Sequence, residues 1–213
     1  EEQEMGVVLV DIGGGTTGIA IFSRGAVVHT AVLPVGGYNM TNDLAIGMRI
    51  PIAEAEKMKQ RHGCALGDLV TPGEMVEMPK VGGRDPSPVP RRRLSDIIEP
   101  RAEEILTLAR EQCEAVEMLG KLGAGVVLTG GGAITEGMLE LAERVFKVPV
   151  RRGVPRFLGS LVDAVNGPMY ATAVGLVLQE SQRPRLNGVV RHREGPGWGR
   201  MRERVVEWFR EFF

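Results

Sequence analysis

Residues 7–22 read VVLVDIGGGTTGIAIF, and the class of fold turns on what their glycines do. Gly13, Gly15 and Gly18 fit the spacing G-x-G-x-x-G. A dinucleotide site needs a strand before those glycines and a helix after them, so that the helix N-terminus meets the pyrophosphate. Here Gly18 is followed by Ile-Ala-Ile-Phe, a strand pattern, so the match is accidental. The glycines form a turn between two strands instead. Gly13, Gly14 and Gly15 let successive backbone amides converge on one anion without Cβ interference. Thr16 adds a hydroxyl donor, and Asp11 at the strand end suits a hydrated Mg²⁺, which needs few carboxylates. A plain glycine-rich hairpin with a capping aspartate fits this stretch equally well.

A second turn, VVLTGGGA at 126–133, has a strand before its glycines and a helix after them, and would let a flat base or ribose lie against the backbone. The pair of turns is far more specific than either alone. Around them, residues 7–12, 18–22 and 26–33 predict a three-stranded antiparallel meander with a turn at Ser23-Arg24-Gly25. Helices are expected at 38–49 and 52–61, separated by Pro51 and ended by Gly63. A strand is expected at 74–78, and the glycines and prolines of 81–93 predict a loop. Ser95 is the expected cap of a helix reaching about Leu119, with Pro100 near its first turn and an apolar stripe through Ile105, Leu108, Ala109, Val116 and Leu119. Strand 125–129, a helix from Glu136 to Phe146 capped by Thr135, strand 148–151 and a helix over 168–180 complete the α/β pattern.

With both turns in place, the sequence resembles the actin-like (ribonuclease H-like) ATPase superfamily. Asp11–Thr16 resembles its second phosphate motif, Val127–Gly132 its adenosine motif, and ATAVGLVL at 171–178 the helix connecting its two halves. Within the superfamily, EAEKMKQRHGCALGD, VGGR, IIEPRAEE and YATAVGLVL resemble the bacterial cell-division family FtsA. The resemblance implies the second half of that fold. Residues 1–37 and 119–180 would be subdomain 2A and 38–118 subdomain 2B, followed by a linker at 181–197 and an amphipathic helix at 198–213. It implies ATP and Mg²⁺ as cofactors, with Asp11, Gly13, Gly14, Gly15, Thr16 and Thr17 at the phosphates. Glu56, Lys59 and Gly63, with Gly130, Gly131 and Gly132, would lie at the adenosine, and Asp11 would hold Mg²⁺ through water. The first phosphate hairpin and the water-positioning groups belong to the other half. The expectation is therefore weak nucleotide binding and no catalytic residues in this chain. An ATP-hydrolysing or phosphoryl-transferring member of the actin, sugar-kinase and chaperone superfamily is the alternative.

Charge separates the end of the chain from its body. Residues 183–213 carry eight Arg and four Glu, a net of +4, against −1 for the whole chain, which leaves −5 for the rest. On a helix, Trp198, Met201, Val205, Trp208, Phe209 and Phe212 share one side, with Phe213 at its edge, opposite the charged residues. Such a basic, Trp- and Phe-rich segment behind a polar linker fits an anionic membrane surface, or docking on protein. The FtsA resemblance favours the membrane, and implies a peripheral protein on the cytoplasmic membrane face at the division site. It also implies self-association, and a partner, the C-terminal tail of the division protein FtsZ, on subdomain 2B. Arg84 and Arg91-Arg92-Arg93 are candidates for that peptide. A nucleic-acid role for the triplet conflicts with the acidic body and the lack of interleaved aromatics. Two cysteines, Cys64 and Cys113, and three scattered histidines give neither a disulfide framework nor metal-ligand spacing. The acidic start, EEQEMG, carries no signal-peptide pattern.

Overall fold

The structure is a computed structural model that describes residues 1–79, 85–155 and 165–182. Arg84, the 81–84 motif, the linker from 183 and the 198–213 segment, with Trp198, Met201, Val205, Trp208, Phe209, Phe212 and Phe213, lie outside the described residues. After a one-turn helix α1 (Glu2–Met5), strands β1 (Val7–Ile12), β2 (Thr17–Ser23) and β3 (Ala26–Leu33) form the expected antiparallel meander. Arg24 and Gly25, both at positive φ, close β2 onto β3, as a two-residue hairpin requires. Helices α2 (Gly37–Met48) and α3 (Ile52–His62) follow. Next come β4 (Met75–Met78), β5 (Ser87–Pro90) and the long α4 (Arg91–Ala115), then β6 (Val126–Thr129), α5 (Met138–Phe146), β7 (Val150–Arg152) and α6 (Ala171–Gln182).

The main sheet has the order β3-β2-β1-β6-β7, with β6 parallel to both β1 and β7. All four residues of β6 are buried, as the unbroken apolar run of a central parallel strand demands. The edge strand β3 keeps Val27, Val28 and Val32 exposed. Val8, Val10 and Ile12 of β1 and Ile19 and Ile21 of β2 belong to one core cluster with the buried stripe of α4 (Leu94, Ile98, Ala102, Ile105, Ala109, Cys113) and with Met138, Leu141 and Phe146 of α5. That core runs without interruption through α2 and α3, and Glu1–Leu178 make one compact unit; a second begins at Gln179. Both cysteines are buried and free, and burial pushes the Cys113 thiol up to about 11.

Several local expectations are corrected. Part of the expected 81–93 loop is strand: Ser87–Pro90 pairs antiparallel with Met75–Met78, Val89 opposite Val76. Its prolines are tolerated because a two-stranded ribbon has open edges. Helix α4 starts at Arg91 directly after Pro90, so Ser95 is no cap. It is buried inside the helix and its hydroxyl donates to Cys64 O at 2.8 Å. Pro100 falls in the helix interior, where it removes the helical donor to the carbonyl of Asp96; both residues are exposed. Val116 and Leu119 lie past the helix end, packed on the core. Thr135 is not the cap of α5: Gly137, at φ 75°, is the residue before that helix, and Thr135 instead ends the 3₁₀ turn Gly131–Ile134, its N–H donating to Gly132 O. The last helix is likewise preceded by a 3₁₀ turn, Pro168–Tyr170.

The Ser95 correction is testable. Ser95→Ala should cost about 1–3 kcal/mol by leaving a buried carbonyl without a donor. Ser95→Asp, nearly neutral at a true N-cap, should cost more than Ser95→Ala because it buries a carboxylate. Urea denaturation of both variants measures the difference, and the reverse order would restore the cap.

Candidate functional site

Two strands set the site. Because β1 and β6 run parallel with Asp11 opposite Thr129, the turns that follow them leave the sheet side by side at its carboxyl edge, where open α/β sheets bind ligands. Gly13 and Gly14 from the first turn and Gly131 and Gly132 from the second line one cleft of about 500 Å³, with Glu56, Lys59 and Gly63 on its α3 side.

The first turn is held from behind. Gly13 N–H donates to Thr16 O at 2.9 Å. The first amides of α2 then take the turn's carbonyls: Gly37 N–H donates to Gly13 O (2.9 Å) and Tyr38 N–H to Gly14 O (2.7 Å). In a trans peptide the C=O of one residue and the N–H of the next point in opposite directions. With the carbonyls of Gly13 and Gly14 turned toward α2, the amides of Gly14 and Gly15 are turned away from it, at exposed positions. Adjacent amides so presented make an anion-binding concavity. Gly36 permits the approach, since a Cβ there would lie 2.7 Å from Gly13 O and 2.8 Å from Gly14 O.

Lys59 ties α3 to this arrangement. Its Nζ donates to Gly37 O (2.9 Å), Thr41 Oγ1 (2.7 Å) and Glu56 Oε2 (2.8 Å). Thr41 Oγ1 also contacts Glu56, and Gln60 donates to the other carboxylate oxygen at 2.8 Å. All three ammonium protons are therefore used within the protein, and the aliphatic stem is what Lys59 offers the cleft. Burial raises the Glu56 pKa, but the hydrogen bonds from Lys59 and Thr41 outweigh it, leaving the carboxyl below its ordinary 4.5.

Other expected residues sit elsewhere. Thr17 is buried and its hydroxyl donates to Val35 O at 2.8 Å, so that hydroxyl is committed within the fold. Gly15 and Thr16 are exposed and are not among the residues lining the cleft. Asp11 faces a neighbouring hollow between the sheet and α6 and accepts a hydrogen bond from Thr172. Gly130, at φ 83°, is required by packing: a Cβ would meet Asp11 and Ile12 O at 2.4 and 2.5 Å. Gly131 has open space beyond it. Among the described residues no His, Cys, Asp and Glu cluster could hold a metal ion.

The basic triplet is only partly available to a partner. Arg91 is largely buried, 12% exposed, and its guanidinium is shared among His62 O, Glu74 and Glu136. Arg92 pairs with Asp96 at 2.8 Å, and Arg93 is exposed. Sequence reasoning also missed Gly36, Gly37, Thr41 and Glu136. The Gly36-Gly37 doublet before a helix was the one visible signal; the others depend on contacts between distant segments.

The fold and paired glycine turns define an actin-like protein. Solved structures agree at the level of fold: MreB5 of Spiroplasma citri bound to ADP superposes with a TM-score of 0.63 at 19% identity, over 84% of this chain and 54% of that one. The PilM–PilN type IV pilus biogenesis complex gives 0.59 at 19%, over 84% and 46%. Within that class the chain belongs to the FtsA family: the model for cell division protein FtsA matches residues 8–175. The Pseudomonas aeruginosa cell division protein FtsA is 46% identical over 86% of this chain and 44% of its own length. The Escherichia coli protein is 43% identical over 100% of this chain and 53% of its own. The chain thus spans about half the length of the curated relatives it matches.

The Glu56 network carries a pH signature. Its pKa is lowered on folding, so the unfolded chain takes up the proton first as pH falls. The stabilisation is complete above about pH 4.5 and is lost as pH drops through the lower folded value. Glu56→Gln should be less stable than the parent at about pH 7, by under ~1 kcal/mol because the carboxylate is partly exposed, and the gap should narrow progressively as the pH is taken below 4.5. Denaturation across that range tests it; a gap that widens in acid contradicts the assignment.

Proposed function

We propose that this chain is part of a cell-division adaptor that carries FtsZ filaments to the cytoplasmic membrane face at the division site, using an actin-type ATP pocket of which residues 1–213 supply one wall. The observation that carries the proposal is the meeting of both glycine turns at one cleft in a chain of the FtsA family. In this reading the Gly14 and Gly15 amides bind phosphate oxygens, with Thr16 as a further donor. Gly131 and Gly132 underlie the adenosine, and Glu56, Lys59 and Gly63 flank it. In the same reading Asp11, from the neighbouring hollow, holds Mg²⁺ through water, which offsets phosphate charge.

The partner roles rest on the family and the sequence. The FtsZ tail docks on the 38–118 portion, with Arg93 and Arg84 the remaining basic candidates. The 198–213 segment lies on an anionic membrane through Trp198, Met201, Val205, Trp208, Phe209, Phe212 and Phe213. A single short amphipathic helix binds reversibly, so self-association of the body strengthens attachment by raising effective concentration. Among the described residues no helix is long and apolar enough to cross a membrane. Hydrolysis depends on positioning the γ-phosphate and its water, and the family resemblance assigns those groups to the other half of the fold. Residues 1–213 alone are therefore a binding module.

Two measurements test this. Residues 1–213 should bind ATP-Mg²⁺ more weakly than about 1 µM by calorimetry; tighter binding would overturn the one-wall reading. They should sediment with anionic liposomes and carry FtsZ down with them, and Trp208→Glu with Phe209→Glu should abolish both. Undiminished sedimentation of that double variant would refute the anchor.

A further inference from the structure

Arg91 is the first residue of α4, and its side chain joins three segments far apart in sequence. Its Nε donates to His62 O at 2.9 Å, at the carbonyl end of α3. Nη1 donates to both oxygens of Glu74 at 3.2 Å, just before β4, and Nη2 donates to Glu136 in the turn before α5. All three guanidinium nitrogens are engaged, which suits the planar fork of arginine and not the single ammonium of lysine. Burial works against the charge, but the hydrogen bonds to Glu136 and Glu74 outweigh it and leave the pKa above the ordinary arginine value.

Two of those partners mark the seam where α3 meets the second glycine turn. Gly63, Thr135 and Glu136 line the cleft one helical turn beyond Lys59. There Cys64 forms an isolated parallel bridge with Glu136, and Ala65 N–H donates to Glu136 O at 2.7 Å. Arg91 spans the back of that seam, holding His62 O on one lip and the Glu136 carboxylate on the other. Ser95, one turn further along α4, reinforces it by donating to Cys64 O at 2.8 Å.

We infer that Arg91 is a positioning residue that fixes the spacing of the cleft's two lips at the Gly63–Glu136 end, and so sets how a flat purine ring is received there. It touches no ligand; it acts through the backbone of Gly63 and Glu136. The ligand part of the inference rests on the ATP reading above, whereas the clamp itself does not. Loss of Arg91 opens the seam without disturbing the Gly13–Thr16 turn, which α2 holds separately. Binding of a purine nucleotide should therefore suffer, and binding of bare polyphosphate should not.

The test compares the parent chain with Arg91→Lys and Arg91→Gln, the conservative variant guarding against a failure to fold. Amide hydrogen exchange at Ala65 should accelerate at least about tenfold in Arg91→Gln and less in Arg91→Lys, as expected for a local opening. Core amides of β1 should stay unchanged. Ligand-observed NMR at millimolar concentrations should show ATP-Mg²⁺ affinity falling several-fold with tripolyphosphate affinity unaltered. Unchanged exchange at Ala65, or acceleration spread evenly through the sheet, overturns the clamp. Faster local exchange with ATP affinity intact, or with both ligands weakened alike, overturns the positioning role. A parent chain that binds neither ligand refutes the ATP reading and the ligand part with it, and the exchange result still decides the clamp.

Discussion

The parallel pairing of β1 with β6, Asp11 beside Thr129, is the constraint from which the cleft follows. A parallel pair sends both chains out of the sheet at the same edge, so two loops 117 residues apart in sequence (Gly13 and Gly130) become neighbours. An antiparallel pairing of the same strands would put them at opposite ends. The pairing also explains the composition of β6: flanked on both sides and covered on both faces, it is apolar apart from Thr129. That hydroxyl is satisfied by Gly153 O and Pro168 O at 3.1 and 3.2 Å, and the second turn is thereby fixed to the segment that leads into α6.

Orientation of the first turn depends on α2. A helix N-terminus is an anion-attracting end because its leading amides have no partner within the helix. Here the amides of Gly37 and Tyr38 are spent on the carbonyls of Gly13 and Gly14. The helix does not meet an anion directly. It turns the peptide planes of the loop, so that the loop's own amides face outward. Lys59 strengthens the same arrangement by donating to Gly37 O, joining the α3 wall to the base of the loop. Lys59 is thus committed to holding backbone geometry, whereas Arg61, which also lines the cleft from α3, is exposed, and the loop's outward-facing amides present dipoles that need no counter-charge within the protein.

Much of the fold was legible because it is local. The meander over residues 7–33, the two helices after it and the strand before Gly130 follow from periodicity and turn residues within short windows. The glycine turns were visible as a pair, and their adjacency came from resemblance, since no single window reveals which strands will lie side by side. The errors share a cause. Ser95, Thr135 and Arg91 each have a locally reasonable role as cap, cap and surface charge. Each is reassigned by a partner or neighbouring element that local patterning does not reveal: Cys64 for Ser95, the 3₁₀ turn over Gly131–Ile134 for Thr135, and Glu74 with Glu136 for Arg91. Pro88 and Pro90 argued for loop, and tertiary pairing with β4 overrode them. Polar side chains are the hardest to place from sequence, because a buried one is defined by the group that satisfies it.

The glycines show that one residue type serves two purposes at one site. At Gly36, Gly130 and Gly132 an added Cβ would collide with atoms of the protein itself: loop carbonyls, Asp11 and Ile12. Their smallness lets the two turns and α2 approach one another, and Gly130 adds a backbone conformation that other residues adopt only with strain. At Gly14, Gly15 and Gly131 nothing lies within 4 Å of the same position. Packing does not explain the absence of a side chain there. The open positions form the surface facing solvent and the crowded ones the support beneath it, an arrangement suited to bringing a rigid backbone close to a ligand. Composition counts both groups as glycine-rich turn; only the atoms around each Cα separate the residues that build the cleft from those that leave it open.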